Sequence, residues 1–389
     1  MDVLAFEIFS HLPAKSVLKL SIISKQCHEN LSSQLLANKQ FKNLQDKEDS
    51  CFFIQSKHCE KSSPIPLQLK FLCETFRSFC GFPPVSHEFL SMTGSILASH
   101  NGLLCCKNIY DAEYPVFLCN PVTRTWLPII KPTINFNNNH PFNFILVDHN
   151  QEGDYMLMHV GSRLCSIYSP QNKVWQERGE MMVGLRSIDF GSPAYLKNEN
   201  GGGTIYFMSD WNKYLTKDSP FYWPYIMSYN FGNSISRFLK IPRPARKGVL
   251  DDNCKFGVFK FRDPECGTES ICLIRLMKLV FSVWVLTDVD LNTWRMIMKA
   301  RSKAMGLYED SRPTISGFTV MNGNLLVIAT SDNQLFTYTL TRDLTTSSNV
   351  KRAAKIGSHD QCGREDVCFY SYSNTLRPCG HGELPLPLQ

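Results

Sequence analysis

Three times along this chain an apolar strand runs into a short polar turn, and the returning strand opens on a tryptophan. The first copy is Val116-Phe117-Leu118-Cys119-Asn120-Pro121-Val122-Thr123-Arg124-Thr125-Trp126, and the second runs from Ser166-Ile167-Tyr168 to Val174-Trp175. A longer third copy runs from Val283-Trp284-Val285-Leu286-Thr287 to Trp294. Such turns close β-hairpins, and an indole at the start of the return strand can fill the gap between neighbouring sheets. Trp126 and Trp175 are 49 residues apart, and the interval from Trp175 to Trp294 leaves room for one more unit between them. A repeat of this period predicts sheets arranged around an axis, each burying both faces against its neighbours: a β-propeller.

The rest of the chain beyond Cys51 agrees. Short apolar runs recur at Phe52–Ile54, Phe117–Cys119, Phe144–Val147, Tyr155–Met158, Thr204–Met208, Leu325–Ile328 and Leu335–Tyr338. Gln151-Glu152-Gly153-Asp154, Asn200-Gly201-Gly202-Gly203, Asn322-Gly323 and Ser331-Asp332-Asn333 supply turn chemistry. A period of about 50 residues is that of a kelch-like blade, and about six blades are expected.

Composition narrows the function. The net charge of +6 over 389 residues is modest, and its densest patch, Arg243-Pro244-Ala245-Arg246-Lys247, reads as a solvated loop, so nucleic acid is not implied. Fifteen cysteines are an odd number, and Cys105, Cys106, Cys119, Cys165 and Cys272 sit in apolar runs, which suits buried free thiols in a reducing compartment. The start lacks the pattern of a secretory signal. The most apolar window, Ile271–Thr287, is divided by Arg275 and Lys278 and reads as two buried strands with a tight turn. A soluble cytoplasmic or nuclear protein without membrane contact is expected.

The first forty residues follow a different period. Helix spacing predicts one helix from Asp2, its N-cap, to His11, with Leu4, Ile8 and Leu12 on one face. A second helix follows Pro13 and carries Val17, Leu18 and Leu20; a third starts near Ser24, with Ile23, Cys27 and Leu31 every four residues. A unit of about forty residues buries too little surface to stand alone, so its apolar residues either dock another protein or cap the downstream domain.

The run Leu4 to Leu20 followed by Ile23-Ser24-Lys25, above all Ile8-Phe9-Ser10-His11-Leu12-Pro13-Ala14-Lys15-Ser16-Val17-Leu18-Lys19-Leu20, resembles the F-box motif of plant F-box proteins. The resemblance implies binding to the Skp-type adaptor of a cullin–RING ubiquitin ligase through Leu4, Ile8, Leu12, Pro13, Leu18, Leu20, Ile23, Ser24 and Lys25. Two departures stand out. The family's Leu-Pro start is missing before Leu4, and Cys27 occupies the place of an aromatic. The smaller side chain should weaken the core and adaptor binding.

Ser99-His100-Asn101-Gly102-Leu103-Leu104-Cys105-Cys106, with Cys119-Asn120-Pro121-Val122-Thr123-Arg124-Thr125-Trp126-Leu127-Pro128, resembles the F-box-associated domain that follows the F-box in many plant proteins. The resemblance spans roughly residues 50–350 and implies a propeller that binds a target protein. The expected organisation is α+β and multidomain: a three-helix F-box at 1–40, a connector with the first strands at 41–94, an all-β propeller at 95–350, and a closing strand with a flexible tail at 351–389.

The aromatic run with Trp211, Phe221, Tyr222, Trp223 and Tyr225, flanked by Lys213, Lys217 and Asp218, is the candidate target-binding loop. No catalytic residue or cofactor is expected. Gly201-Gly202-Gly203 lacks the Lys-Ser/Thr of a phosphate loop, no Cys-x-x-Cys occurs, and Cys362, Cys368, Cys379 and His381 have irregular spacing. A substrate-recognition subunit of an SCF-type ligase is the leading expectation. The alternatives are a kelch-type oxidase with a Tyr, His and Cys copper site, and a propeller whose shortened F-box no longer docks.

Overall fold

The computed structural model describes residues 3–31, 33–44, 51–57, 68–72, 95–108, 113–132, 143–148, 155–161, 164–198, 202–212, 214–248, 254–308, 314–340, 352–359, 366–380 and 384–385. The chain forms two compact units. One comprises residues 1–162, 166–177 and 368–389, and the other comprises 163–165 and 178–367.

Four helices open the chain: α1 (Val3–Ser10), α2 (Ala14–Ser21), α3 (Lys25–Leu31) and α4 (Gln34–Leu44). Pro13 ends the first and starts the second, its carbonyl accepting from Ser16 N at 2.8 Å and Val17 N at 3.2 Å. Ser24 caps α3 as expected, its Oγ accepting from Cys27 N at 3.1 Å. Asp2 as a cap and the Leu31 side chain lie outside the described residues. The three-helix expectation is corrected by α4. Ser33 Oγ accepts from Leu36 N at 3.3 Å at its start, and Leu36, Gln40 and Phe41 turn a buried face inward.

The other described elements are one single-turn helix and strands. In chain order they are β1 (Cys51–Ser56), β2 (Gln68–Phe71), β3 (Ile96–His100), β4 (Leu103–Lys107), β5 (Val116–Asn120) and β6 (Thr125–Ile129). Next come β7 (Phe144–Asp148), β8 (Tyr155–Val160), β9 (Leu164–Ser169), β10 (Val174–Glu180), β11 (Ile188–Lys197), β12 (Gly203–Ser209), β13 (Tyr225–Asn230) and β14 (Ile235–Lys240). The last are β15 (Cys254–Arg262), β16 (Glu269–Met277), β17 (Val280–Asp288), β18 (Thr293–Arg301), β19 (Ile315–Met321), β20 (Leu325–Thr330), β21 (Gln334–Thr339), β22 (Ala354–Ser358), β23 (Val367–Tyr372) and β24 (Leu384–Pro385).

Four sheets are four-stranded with consecutive strands adjacent (β7–β10, β11–β14, β15–β18 and β19–β22), and a fifth orders as β24-β6-β5-β4-β3. The antiparallel meander of four strands is the blade of a β-propeller. An N-terminal helical module thus precedes an all-β propeller with five blades among the described residues, where about six were expected. Among the described residues a sixth sheet has three strands, β2-β1-β23, in which β1 pairs with a strand far along the chain. Leu384–Pro385, expected in a flexible tail, pairs instead with Thr125 and Trp126 at the free edge of β6; residues 386–389 lie outside the described residues.

Four blades share one turn. Arg124, Lys173, Ser234 and Asn292 all have φ between 51° and 57°, and each stands two residues before Trp126, Trp175, Ser236 or Trp294. A polar residue closes the start of each turn: Asn120 Oδ1 accepts from Val122 N at 3.0 Å, Asn230 Oδ1 from Gly232 N at 2.9 Å, Asp288 Oδ1 from Asp290 N at 2.9 Å and Ser169 Oγ from Asn172 N at 3.4 Å. Trp175 Nε1 donates to Ile130 O at 2.7 Å and Trp294 Nε1 to Lys240 O at 3.2 Å, so each indole reaches the sheet before its own. The copy at Asn230–Ser236 went unread because Ser236 replaces the tryptophan.

The window Ile271–Thr287 is indeed a hairpin, β16 and β17 meeting at Lys278-Leu279 with φ of 50° and 60°. No described helix is long and apolar enough to cross a membrane. Arg275, which interrupts that window, is buried and donates to the carbonyls of Pro244, Ala245 and Lys247 at 2.8–3.2 Å. Those carbonyls end α5 (Arg243–Arg246), so the basic patch is a short anchored helix where a loop was expected. Cys105, Cys106, Cys119, Cys165 and Cys272 are all fully buried, and burial pushes the Cys272 thiol up to about 12.

Candidate functional site

The helical module shows a division between what it buries and what it exposes. Ala14, Val17 and Leu36 form its buried centre, with Phe6, Phe9, Leu12, Leu20, Cys27 and Ala37 packed around them. Leu4, Ile8, Ile22, Ile23 and Leu35 remain 53–83% exposed, and Leu18 is partly so. Leu4 and Ile8 are one helical turn apart and share a face of α1, while Ile22 and Ile23 stand in the α2–α3 turn. Aliphatic side chains this exposed leave apolar surface in water, and covering them is worth roughly 1.5–3 kcal/mol each.

Leu4, Ile8, Leu18 and Ile23 therefore lie where an outward-facing set needs them. Leu12 and Leu20 do not; they are half-buried in the module's own centre. Pro13, Ser24 and Lys25 are exposed, but Pro13 and Ser24 also set the starts of α2 and α3. Ile22 and Leu35 were missed. Ile22 could have been found, since an aliphatic pair in a turn between helices has no helical face to join. Across the outer side, Glu7 pairs with Lys39, linking α1 to α4; this contact, with His11 beside it, lowers the Glu7 carboxyl below its usual range.

The second candidate lies in the β12–β13 connection. Arg186, from the β10–β11 connection, is buried and gathers that loop around itself. Its Nε donates to Phe221 O at 2.8 Å, its Nη1 to Asn212 O at 3.0 Å and to Asp210 Oδ1 at 3.1 Å, and its Nη2 to Tyr222 O. Tyr214 covers the guanidinium, 5.4 Å from ring centroid to Cζ, and its hydroxyl donates to the Asp210 carboxylate at 2.9 Å. A single buried cation bound to so many loop carbonyls pre-organises the loop, because those acceptors are lost together if it moves.

Of the aromatics expected to reach outward, Tyr225 does not. It opens β13, its ring is buried, and its hydroxyl donates to Val183 O at 2.6 Å and accepts from Arg186 N at 3.1 Å. Burial raises its phenol above the ordinary tyrosine range. Phe221 packs on Tyr225 and Phe238, and Trp211 packs against Phe256. Tyr222 and Trp223 form an edge-to-face pair with centroids 4.9 Å apart, and Trp223 is exposed together with Tyr214, Met182 and Leu185. Lys213 lies outside the described residues. Arg186, Met182 and Leu185 had no signal in the sequence beyond their types.

Two members of the late Cys/His set are described, and they pack in different apolar clusters. Cys368 packs beside Cys51 and Tyr372, Cys379 is buried with Leu127 and Tyr155, and Cys362 and His381 lie outside the described residues. Among the described residues no three His, Cys, Asp or Glu side chains are grouped to hold a metal ion.

A family model described as F-box domain matches residues 2–37. Residues 2–37 are therefore an F-box domain, followed by a β-propeller. No curated protein matches the chain. Among solved structures, one titled "Structure of Dos1 propeller" is 9% identical with a TM-score of 0.38, covering 71% of this chain and 76% of that one. The extracellular domain of a putative one-component system from B. thetaiotaomicron is 10% identical with a TM-score of 0.36, covering 83% of this chain and 38% of that one. An auxiliary nutrient binding protein from Bacteroides thetaiotaomicron is 10% identical with a TM-score of 0.36, covering 74% and 64%.

Proposed function

We propose that this chain is a substrate-recognition subunit of an SCF-type ubiquitin ligase acting in the cytoplasm or nucleus, with the F-box docking a Skp-type adaptor and the propeller holding a target protein. The observation that carries this reading is the exposed aliphatic set Leu4, Ile8, Leu18, Ile22 and Ile23 on an F-box whose own centre is already filled without them. The chain itself catalyses nothing in this reading. Holding adaptor and target in one complex raises the effective concentration of target lysines near the ubiquitin-carrying enzyme.

The blades are read as the kelch-like, F-box-associated kind on the 49-residue interval and the shared turn before Trp126, Trp175 and Trp294. Target binding is assigned to Tyr222 and Trp223 together with the exposed Tyr214, Met182 and Leu185; Phe221, Tyr225 and Arg186 hold the loop, and Trp211 packs on Phe256. Rigid, partly exposed aromatics are the usual anchors of an interface.

Affinity purification with mass spectrometry separates the two surfaces. Leu4→Asp/Ile8→Asp should lose the adaptor and keep the targets, whereas Tyr222→Ala/Trp223→Ala should keep the adaptor and lose the targets. Recovery of the adaptor by the first variant at the wild-type level contradicts the reading.

A further inference from the structure

Between the F-box helices and the strands of the same unit runs an extended segment, Ser373–Gly380. On its strand side it is held by buried polar groups. Asn120, fully buried, donates through Nδ2 to Thr375 O at 3.0 Å and Arg377 O at 2.7 Å, and Tyr155 donates to Cys379 O at 2.6 Å. Gly102 lies so close that a Cβ there would stand 2.1 Å from Thr375 Oγ1.

On its other side the same segment enters the F-box. Leu376 is buried with Ala14, Val17 and Leu36 at the centre of the helices. Its backbone N–H donates to Gln40 Oε1 at 2.9 Å, across 336 residues of chain. Gln40 in turn donates through Nε2 to Leu12 O at 3.1 Å, tying α4 to the α1–α2 turn. The Arg377 guanidinium lies 4.3 Å from the centroid of the Phe41 ring.

A helical module of about forty residues lacks the core to hold itself together. Here Leu376 and Val122 complete it, in a core where Cys27 supplies less apolar surface than an aromatic would. We infer that the Ser373–Gly380 segment is a latch that holds the four helices in their folded arrangement, so that the F-box becomes a docking surface only after the strands have taken up this segment. The docking half of this inference rests on the function proposed above; the latch itself does not.

The latch orders events during synthesis. The F-box helices are made first but acquire Leu376 only after more than three hundred further residues, when β1 can also pair with β23. An unfinished or misfolded propeller then presents no ordered F-box, and the adaptor is reserved for complete chains.

Hydrogen exchange on the full chain tests the latch, comparing wild type, Leu376→Asp and Leu376→Met. In Leu376→Asp the amides of α2 and α4 should lose at least about tenfold in protection while those of β4 and β5 stay within about twofold, and Leu376→Met should restore the helices. Unchanged protection in α2 and α4 overturns the inference, and so does an equal loss in β4 and β5, which would make the segment ordinary core. The same samples are passed over immobilised Skp-type adaptor, where Leu376→Asp should bind at least about tenfold more weakly than wild type. Failure of the wild type to bind sinks the docking proposal alone, since the exchange result decides the latch by itself.

Discussion

Arg377 and Asp148 meet at 2.8 Å with both side chains shut away from solvent. The carboxylate is also 3.2 Å from His100 Nε2 and accepts from Asn101 Nδ2 at 2.7 Å. The guanidinium fills the space between the rings of Phe41 and Tyr155. The His100-Asn101-Gly102 turn, whose sequence pointed to a family signature, is thus the seat of a buried ion pair that lies against the F-box.

Removing one partner takes a counter-charge from a buried group, although Asp148 keeps His100 and Asn101. Asp148→Asn and Arg377→Met should each cost about 3–5 kcal/mol, and the double variant Asp148→Leu/Arg377→Met should recover much of the loss. Urea unfolding midpoints of the three proteins give the answer.

Acid should weaken the protein in two stages. Burial alone lowers the His159 imidazole to about 4 from 6.5. Between those values the unfolded chain binds a proton that the folded one refuses, so stability present above pH 6.5 falls by up to about 3 kcal/mol as the pH drops to 4. Burial would raise the Asp148 carboxyl, but His100 and Arg377 more than offset this and hold it well below the carboxylate range. Its contribution, present above about pH 4, is lost only below that. Melting temperature against pH should flatten between 6.5 and 4 in His159→Leu and keep its drop below 4.

Gly102 and Gly179 make an internal comparison. Both have positive φ, +86° and +101°, but only Gly102 has neighbours where a Cβ would go. Gly179→Ala should cost about 1 kcal/mol from backbone strain, and Gly102→Ala more than about 2 kcal/mol, because Thr375 and Ser373 must move as well. Equal losses in denaturant melts would contradict the close packing of the latch.

The indoles should matter through their N–H as well as their area. Trp175→Phe and Trp294→Phe each remove the donor to a neighbouring sheet, at Ile130 O and Lys240 O. About 1 kcal/mol beyond the change in packing is expected for each, measured by urea unfolding.

What could be read without coordinates was local. Ser24 announces α3 because a hydroxyl ahead of a helix has one obvious use, and Lys278 marks the turn inside an apolar window. Tryptophans that follow a polar turn after an apolar strand mark three of the blades. What escaped depended on partners far along the chain. α4 owes its buried face partly to Leu376 through Gln40, Arg186 is explained only by the carbonyls of residues 210–222, and the fourth turn was hidden because Ser236 carries no indole. Tyr225 was placed outside because an aromatic run reads the same whether its rings anchor a partner or prop up a loop.

The most direct test is a calorimetric titration of purified Skp-type adaptor into the full chain and into Ile8→Asp. Wild type should bind one adaptor per chain, and the variant at least about 100-fold more weakly, the scale of an interface anchor lost to a buried charge. No binding by wild type, or equal affinity in both, would contradict the account.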